Sequence, residues 1–200
     1  MADQYCEKLD KFLLDPLSTL KVAVPGGAIA ALLHTQFWSK KSTRCVAVGL
    51  FAVTVGRLAL TVHMGILETQ VIRALPVLSN DQKLQLADYR RSWFNKLDVM
   101  TGIVSLDLFY IFTHRSTTSV SQCLTACVAA PVAITALQVF CFYPNYQREV
   151  AQVREKSKTA DDLFKDPSFV TRHRLFHGMD FVKVSCLAVA GLRLGCMLSK

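Results

Sequence analysis

With 200 residues, 52% of them hydrophobic and 19% charged, and a formal net charge of +8, the chain is more apolar and less charged than a usual soluble domain. Its basic residues are scattered and mixed with acids rather than gathered into an aromatic-studded stripe, which excludes nucleic acid as the expected partner and favours the anionic headgroups of a lipid bilayer. Seven cysteines at irregular spacing, without a CxxC pair, read as small packing residues and argue against a secreted disulfide scaffold.

The amino-terminal segment MADQYCEKLDKFLLDP alternates acids and lysines. It lacks the basic flank, apolar centre and cleavage site of a signal peptide, so insertion through an uncleaved internal span is expected. Asp15-Pro16 has the form of a helix start, with Asp as N-cap and Pro at the first helical position. The first apolar run, residues 22–38, is interrupted by Pro25-Gly26-Gly27 and carries His34 near its end. It is short for a crossing, which needs about 20 residues at a rise of about 1.5 Å each. Either a short span or a broken helix at the interface fits it, so residues 1–44 are taken as an amino-terminal extension.

The bundle proper is expected over residues 45–200. Its first run, Cys45 to Ile66, contains Arg57. After Leu75-Pro76, Ser79 and Gln82 have capping-box spacing and open a helix that leads through Arg90, Arg91, Trp93, Phe94 and Lys96 into the next run, Val99 to Thr113, which contains Asp107. Trp93 and Phe94 beside those bases resemble an interfacial belt. Ser119 and Gln122 repeat the capping-box spacing before an uncharged run that reaches Tyr143 and contains Pro131, an expected kink. Residues 144–165 are polar and read as a helical arm outside the bilayer. Asp166-Pro167 starts the last helix, which enters the apolar layer near His177-Gly178 and holds Lys183 and Arg193. The predicted class is therefore an all-α integral membrane bundle of four core spans plus a short or interfacial amino-terminal helix, with polar segments at 66–97 and 144–177.

If all five runs cross, fifteen lysines and arginines lie on one side and five on the other. The basic side then faces cytosol or matrix. A mitochondrial inner membrane and an endomembrane both remain open on this count.

Charges inside spans are costly and need partners. Converted at about 1.5 Å per residue, Arg57 and Asp107 both lie roughly 12–14 Å from the basic-side boundary. They are expected to pair, with Lys183 as an alternative partner for Asp107. Two uses fit the three residues: an ion or proton relay, or a structural tie fixing helix register. Arg193 is expected to snorkel toward the opposite face. His63 with His177, and His34 with His114, form level pairs of the sort bis-histidine haem ligation needs, but nothing else indicates a haem or quinone pocket. His173 and His177 share a helix face without the glutamate of a zinc protease. No nucleophile–base set or phosphate loop is present, so no catalytic residue, metal or cofactor is expected. Small residues at Ala126, Ala129, Ala130 and Ala133, and the pair Gly191 and Gly195, suit close helix packing within the bundle or against another subunit.

The stretch KDPSFVTRHRLFHGMDF (165–181) resembles the entry to the last helix of the transmembrane-protein-205-like tetraspan family, with Arg172 or Arg174, Phe176, His177 and Gly178 on its Arg…Phe…His-Gly pattern. The run closing on Pro144, followed by an arm with Glu149 and Glu155, is similar in layout. GRLALTVHMGILETQVIRALP (56–76) is similar to that family's first span, without its tryptophan. The resemblance covers about residues 45–198 and implies a four-helix membrane bundle, makes His177-Gly178 a site to test, and carries across no catalytic residue. The functional expectation is a non-enzymatic multi-pass protein acting as a structural or accessory subunit of a larger membrane complex. The alternatives are a small transporter using Arg57, Asp107 and Lys183, and a haem- or quinone-binding anchor.

Overall fold

The computed structural model describes residues 18–117 and 119–199, together with Lys8, Lys11, Phe12 and Asp15. Pro16 of the expected first helix start lies outside the described residues. Among the described residues six main helices follow one another: α1 (Ser18–Gln36), α2 (Thr43–Ala74), α3 (Asn80–Arg115), α4 (Gln122–Arg154), α5 (Ala160–Lys165) and α6 (Pro167–Leu198). No strand occurs among the described residues. Helices α2, α3, α4 and α6 are each long and apolar enough to cross a membrane, which makes this an all-α, multi-pass membrane bundle. Only 28–39% of each apolar window is buried, so most of it faces outward, as lipid-facing helices do.

Local sequence accounts for the helix starts. Ser79 and Gln82 form the expected reciprocal capping box on α3. Asp166 caps α6 with Pro167 in its first turn. On α4 the cap is Ser121, whose hydroxyl accepts from the Leu124 N–H, and not Ser119; extended backbone at Ser121 puts its hydroxyl within 3.3 Å of that N–H. The segments 66–97 and 144–177 are mostly helical: they carry the spans beyond the apolar layer, and the chain turns at 75–79 and 155–159. In the second turn Thr159 caps α5, and its hydroxyl and N–H hold the Asp162 carboxyl below the usual carboxylate range.

The expected interruption at Pro25-Gly26-Gly27 does not occur. Helix α1 runs unbroken through Pro25 and lies along α3 in the same direction, Gly26 meeting Met100 and His34 meeting Asp107. A Cβ on Gly26 would come within 2.1 Å of the Met100 sulfur, so the glycine gives the tip of that flexible side chain its seat against α1. At the far end of the bundle Arg115 donates to the carbonyls of Trp38, Ser39 and Lys41, fastening the α1–α2 turn to the end of α3.

Two apolar clusters occupy opposite ends. The far one is intramembrane and includes Val46, Leu50, Leu108, Val128, Ala190 and Leu194. The basic-end one includes Leu84, Val150, Val153, Leu163 and Phe169, formed by helix extensions and α5. Between them the contact face of α3 is polar. The Gly191 and Gly195 positions abut Val55 and Phe51 of α2, so this small-residue pair packs inside the bundle.

Candidate functional site

The buried polar face of α3 follows helical spacing: Asp88, Arg91, Asn95, Asp98, Gly102 and Ser105 are all inward. Asp98, 1% exposed, is the node. Arg57 of α2 donates to its Oδ1 from Nη2 at 2.9 Å and from Nε at 3.3 Å. Lys183 of α6 donates to Oδ2 at 2.8 Å, and Thr135 of α4 donates to the same oxygen at 2.6 Å. One carboxylate therefore joins all four long helices. A Cβ on Gly102 would lie 3.6 Å from the Arg57 guanidinium, so a small residue there leaves that group room beside α3.

The sequence-based pairing of Arg57 with Asp107 is corrected here. Asp98 and Asp107 are nine residues apart, about two and a half turns, and face opposite sides of α3. Asp98 faces α2, α4 and α6, whereas Asp107 meets His34 Nδ1 of α1 at 2.6 Å. Lys183 likewise meets Asp98 and not Asp107. Asp98 immediately precedes the apolar run that starts at Val99, so hydropathy alone does not mark it as an intramembrane charge. The signal was present in the polar stripe at three- and four-residue spacing from Asp88 to Ser105.

From Asp98 the network continues toward the basic end. Lys183 also lies 3.2 Å from Asp180 on its own helix, and Asp180 accepts from Arg91 at 2.8 Å and from Gln138 at 3.0 Å. Two π-helical turns flank this carboxylate. The one at Thr61–Leu67 brings Gly65 beside it, and the one at Gln138–Phe142 starts with the donating glutamine, which also reaches the Phe176 carbonyl. Such wide turns gather at functional positions in helical proteins. Phe94 is 1% exposed and lies under Lys183 and Arg91, so it is a core ring and not part of an interfacial belt; its neighbour Trp93 does face outward. In the other direction the network stops. Beyond Arg57 and Asp98 the four long helices meet through the far apolar cluster, the Asp107–His34 pair standing apart on the α1 side, and the helix ends there are roughly 20–25 Å away at about 1.5 Å per residue.

At the basic end the four helix extensions leave three cavities, of about 50, 370 and 290 Å³, that share Thr69 and His173 in their walls. Arg91 and His177 line the smallest, which puts the network beside this group of cavities, together the basic-end chamber. His177 and His173 are 3.2 Å apart between Nε2 atoms, and His173 stacks on Phe169 and on Tyr146. Gly178 has no neighbour within 4 Å of where a Cβ would stand, so the α2–α6 crevice is open there. Arg172 pairs with Glu149 across the chamber.

The histidines matched by level in the sequence go to separate partners. His34 meets Asp107, His114 reaches the Tyr110 carbonyl, His177 meets His173, and His63 is exposed beside Glu68. No group of three metal-ligating side chains occurs among the described residues. The six described cysteines are free, four of them on outward faces. Arg193 donates to Ser121 at the far end, in keeping with its expected reach toward that face. No protein-family model, curated protein or solved structure matches this chain.

Proposed function

We propose that this chain is a non-enzymatic multi-pass membrane protein serving as a structural or accessory subunit of a larger membrane assembly. The observation that carries this reading is the one-sidedness of the ionic network. Its three cations and two carboxylates pair in one chain, join four helices at Asp98, and end against apolar packing rather than continuing across the membrane. Arg57, Asp107 and Lys183 do not lie on one path, which argues against a transporter built on those three. The outward face of α4 carries Ala126, Ala129 and Ala133, small residues over which another transmembrane helix packs closely. Helix α1, aligned with α3 through the same layer, serves in this reading as a fifth crossing. The basic end then faces cytosol or matrix, in a mitochondrial inner membrane or an endomembrane.

Membership of the transmembrane-protein-205-like tetraspan family is part of the same proposal, supported by four long helices and by His177-Gly178 at the entry to the last. The test is native electrophoresis of the full chain in mild detergent, with identification of co-purifying chains. A discrete assembly with unlike subunits, weakened by Ala129→Leu and Ala133→Leu, is expected. A monomer or small homo-oligomer that ignores those substitutions would falsify the subunit role.

A further inference from the structure

We propose that the basic-end chamber is a phosphate-binding site, and that the apolar crevice beside it assigns this phosphate to the headgroup of an anionic phospholipid.

Charge is the first argument. The three cavity walls carry six lysine and arginine side chains, including Arg73, Arg90, Arg172 and Arg174, against a single carboxylate, Glu149. Arg91 and Arg172 have carboxylate partners in Asp180 and Glu149. Arg90 is different. Its Nη2 donates to Thr69 and its Nε lies 3.7 Å from Glu68, a distance too long for a hydrogen bond. Its Nε and Nη1 are buried without a hydrogen-bond partner among the described residues, as is Nε of Arg172. Buried guanidinium N–H groups without acceptors are costly, and an arginine fork matches the oxygens of a phosphate. Guanidinium donors that lack acceptors therefore lie within cavity walls of net positive charge.

Position is the second argument. Thr69 and His173 lie just outside the apolar runs of α2 and α6, at the depth of lipid headgroups. The largest of the three cavities lies between these two helices. Its upper wall holds Arg73, Arg174, His173 and His177, and its lower wall holds Gly65, Ile66, Gly178 and Phe181. Phe181 is 58% exposed and Gly178 faces open space, so the crevice runs out toward the lipid. A headgroup held by the arginines has an apolar track beside it for an acyl chain, which a free phosphate ion has no use for. Basic pockets between transmembrane helices are suited to headgroups in this way.

The test uses the full chain in uncharged detergent, titrated with dioleoyl phosphatidylglycerol, dioleoyl phosphatidylcholine or inorganic phosphate, with thermal melting as the readout. A saturable rise in Tm with phosphatidylglycerol alone is expected. Arg90→Gln should raise its apparent Kd by about tenfold, the scale of one charge-assisted contact to phosphate. The exposed pair R73Q/R174Q should weaken it in the same direction, and decides the matter if Arg90→Gln does not fold. A K40Q/K41Q protein, carrying the same loss of charge at the far end, should bind as the parent does. An equal response to phosphatidylcholine, or equal weakening by K40Q/K41Q, overturns the site. A full response to inorganic phosphate overturns the lipid assignment.

Discussion

Around Leu50, Leu108, Val128 and Leu194 the long helices meet through aliphatic side chains, whereas roughly 10–15 Å further along they meet through Arg57, Asp98, Thr135 and Lys183. These two regions obey different rules. Lipid tails are as apolar as leucine, so the far cluster gains only close packing from association and tolerates adjustment. The ionic layer tolerates none, because each charge removed strands its partner in a medium that cannot solvate it. Packing brings the helices together, and the ion network sets their register.

Four substitutions sharpen or break this contrast. The largest effect is expected for Asp98→Ala, which leaves buried Arg57 without a carboxylate and Lys183 with Asp180 alone. A loss of about 3–5 kcal/mol is expected, seen as failure to yield monodisperse protein in detergent. A variant melting within a few degrees of the parent would remove Asp98 from the centre of the fold. Leu50→Ala, in the far cluster, should cost about 2 kcal/mol and lower Tm while leaving the protein folded. If it proves as damaging as Asp98→Ala, the two regions do not differ as argued.

Asp107→Asn should cost about 1 kcal/mol or less, since its bond to His34 is part-exposed and ties only α1 to α3. Comparing the melting curves of the Asp98 and Asp107 variants separates two aspartates on the same helix. The smallest change is expected from Gly26→Ala. Met100 is flexible and its sulfur has only to swing aside, so the cost should stay below about 1 kcal/mol. A larger fall in Tm would mean that the α1–α3 contact is more rigid than a methionine tip allows.

Much of the architecture was legible beforehand. The apolar runs marked the four long helices, and Ser79, Gln82 and Asp166 marked two helix starts where they occur. These features depend on neighbours within one turn. The pairing of charges was not legible in the same way. Depth along a helix matched Arg57 to Asp107, but depth says nothing about azimuth, and the two aspartates of α3 face opposite sides. Asp180 and Gln138 were missed because Arg91 and Gln138 reach the Asp180 carboxylate from separate helices, an encounter set by helix rotation. The chamber was legible only as His177 and Gly178, since its arginines come from separate helices.

The amino-acid sequence by itself determined that this is a helical membrane bundle with costly charges inside it. Hydropathy and capping act along the chain, so no partner helix is needed to express them. Tertiary structure alone decided which charges meet, that α1 runs unbroken beside α3, and that arginines from several helices line adjoining cavities. Those outcomes depend on the relative rotation of helices, and packing around Asp98 sets that rotation.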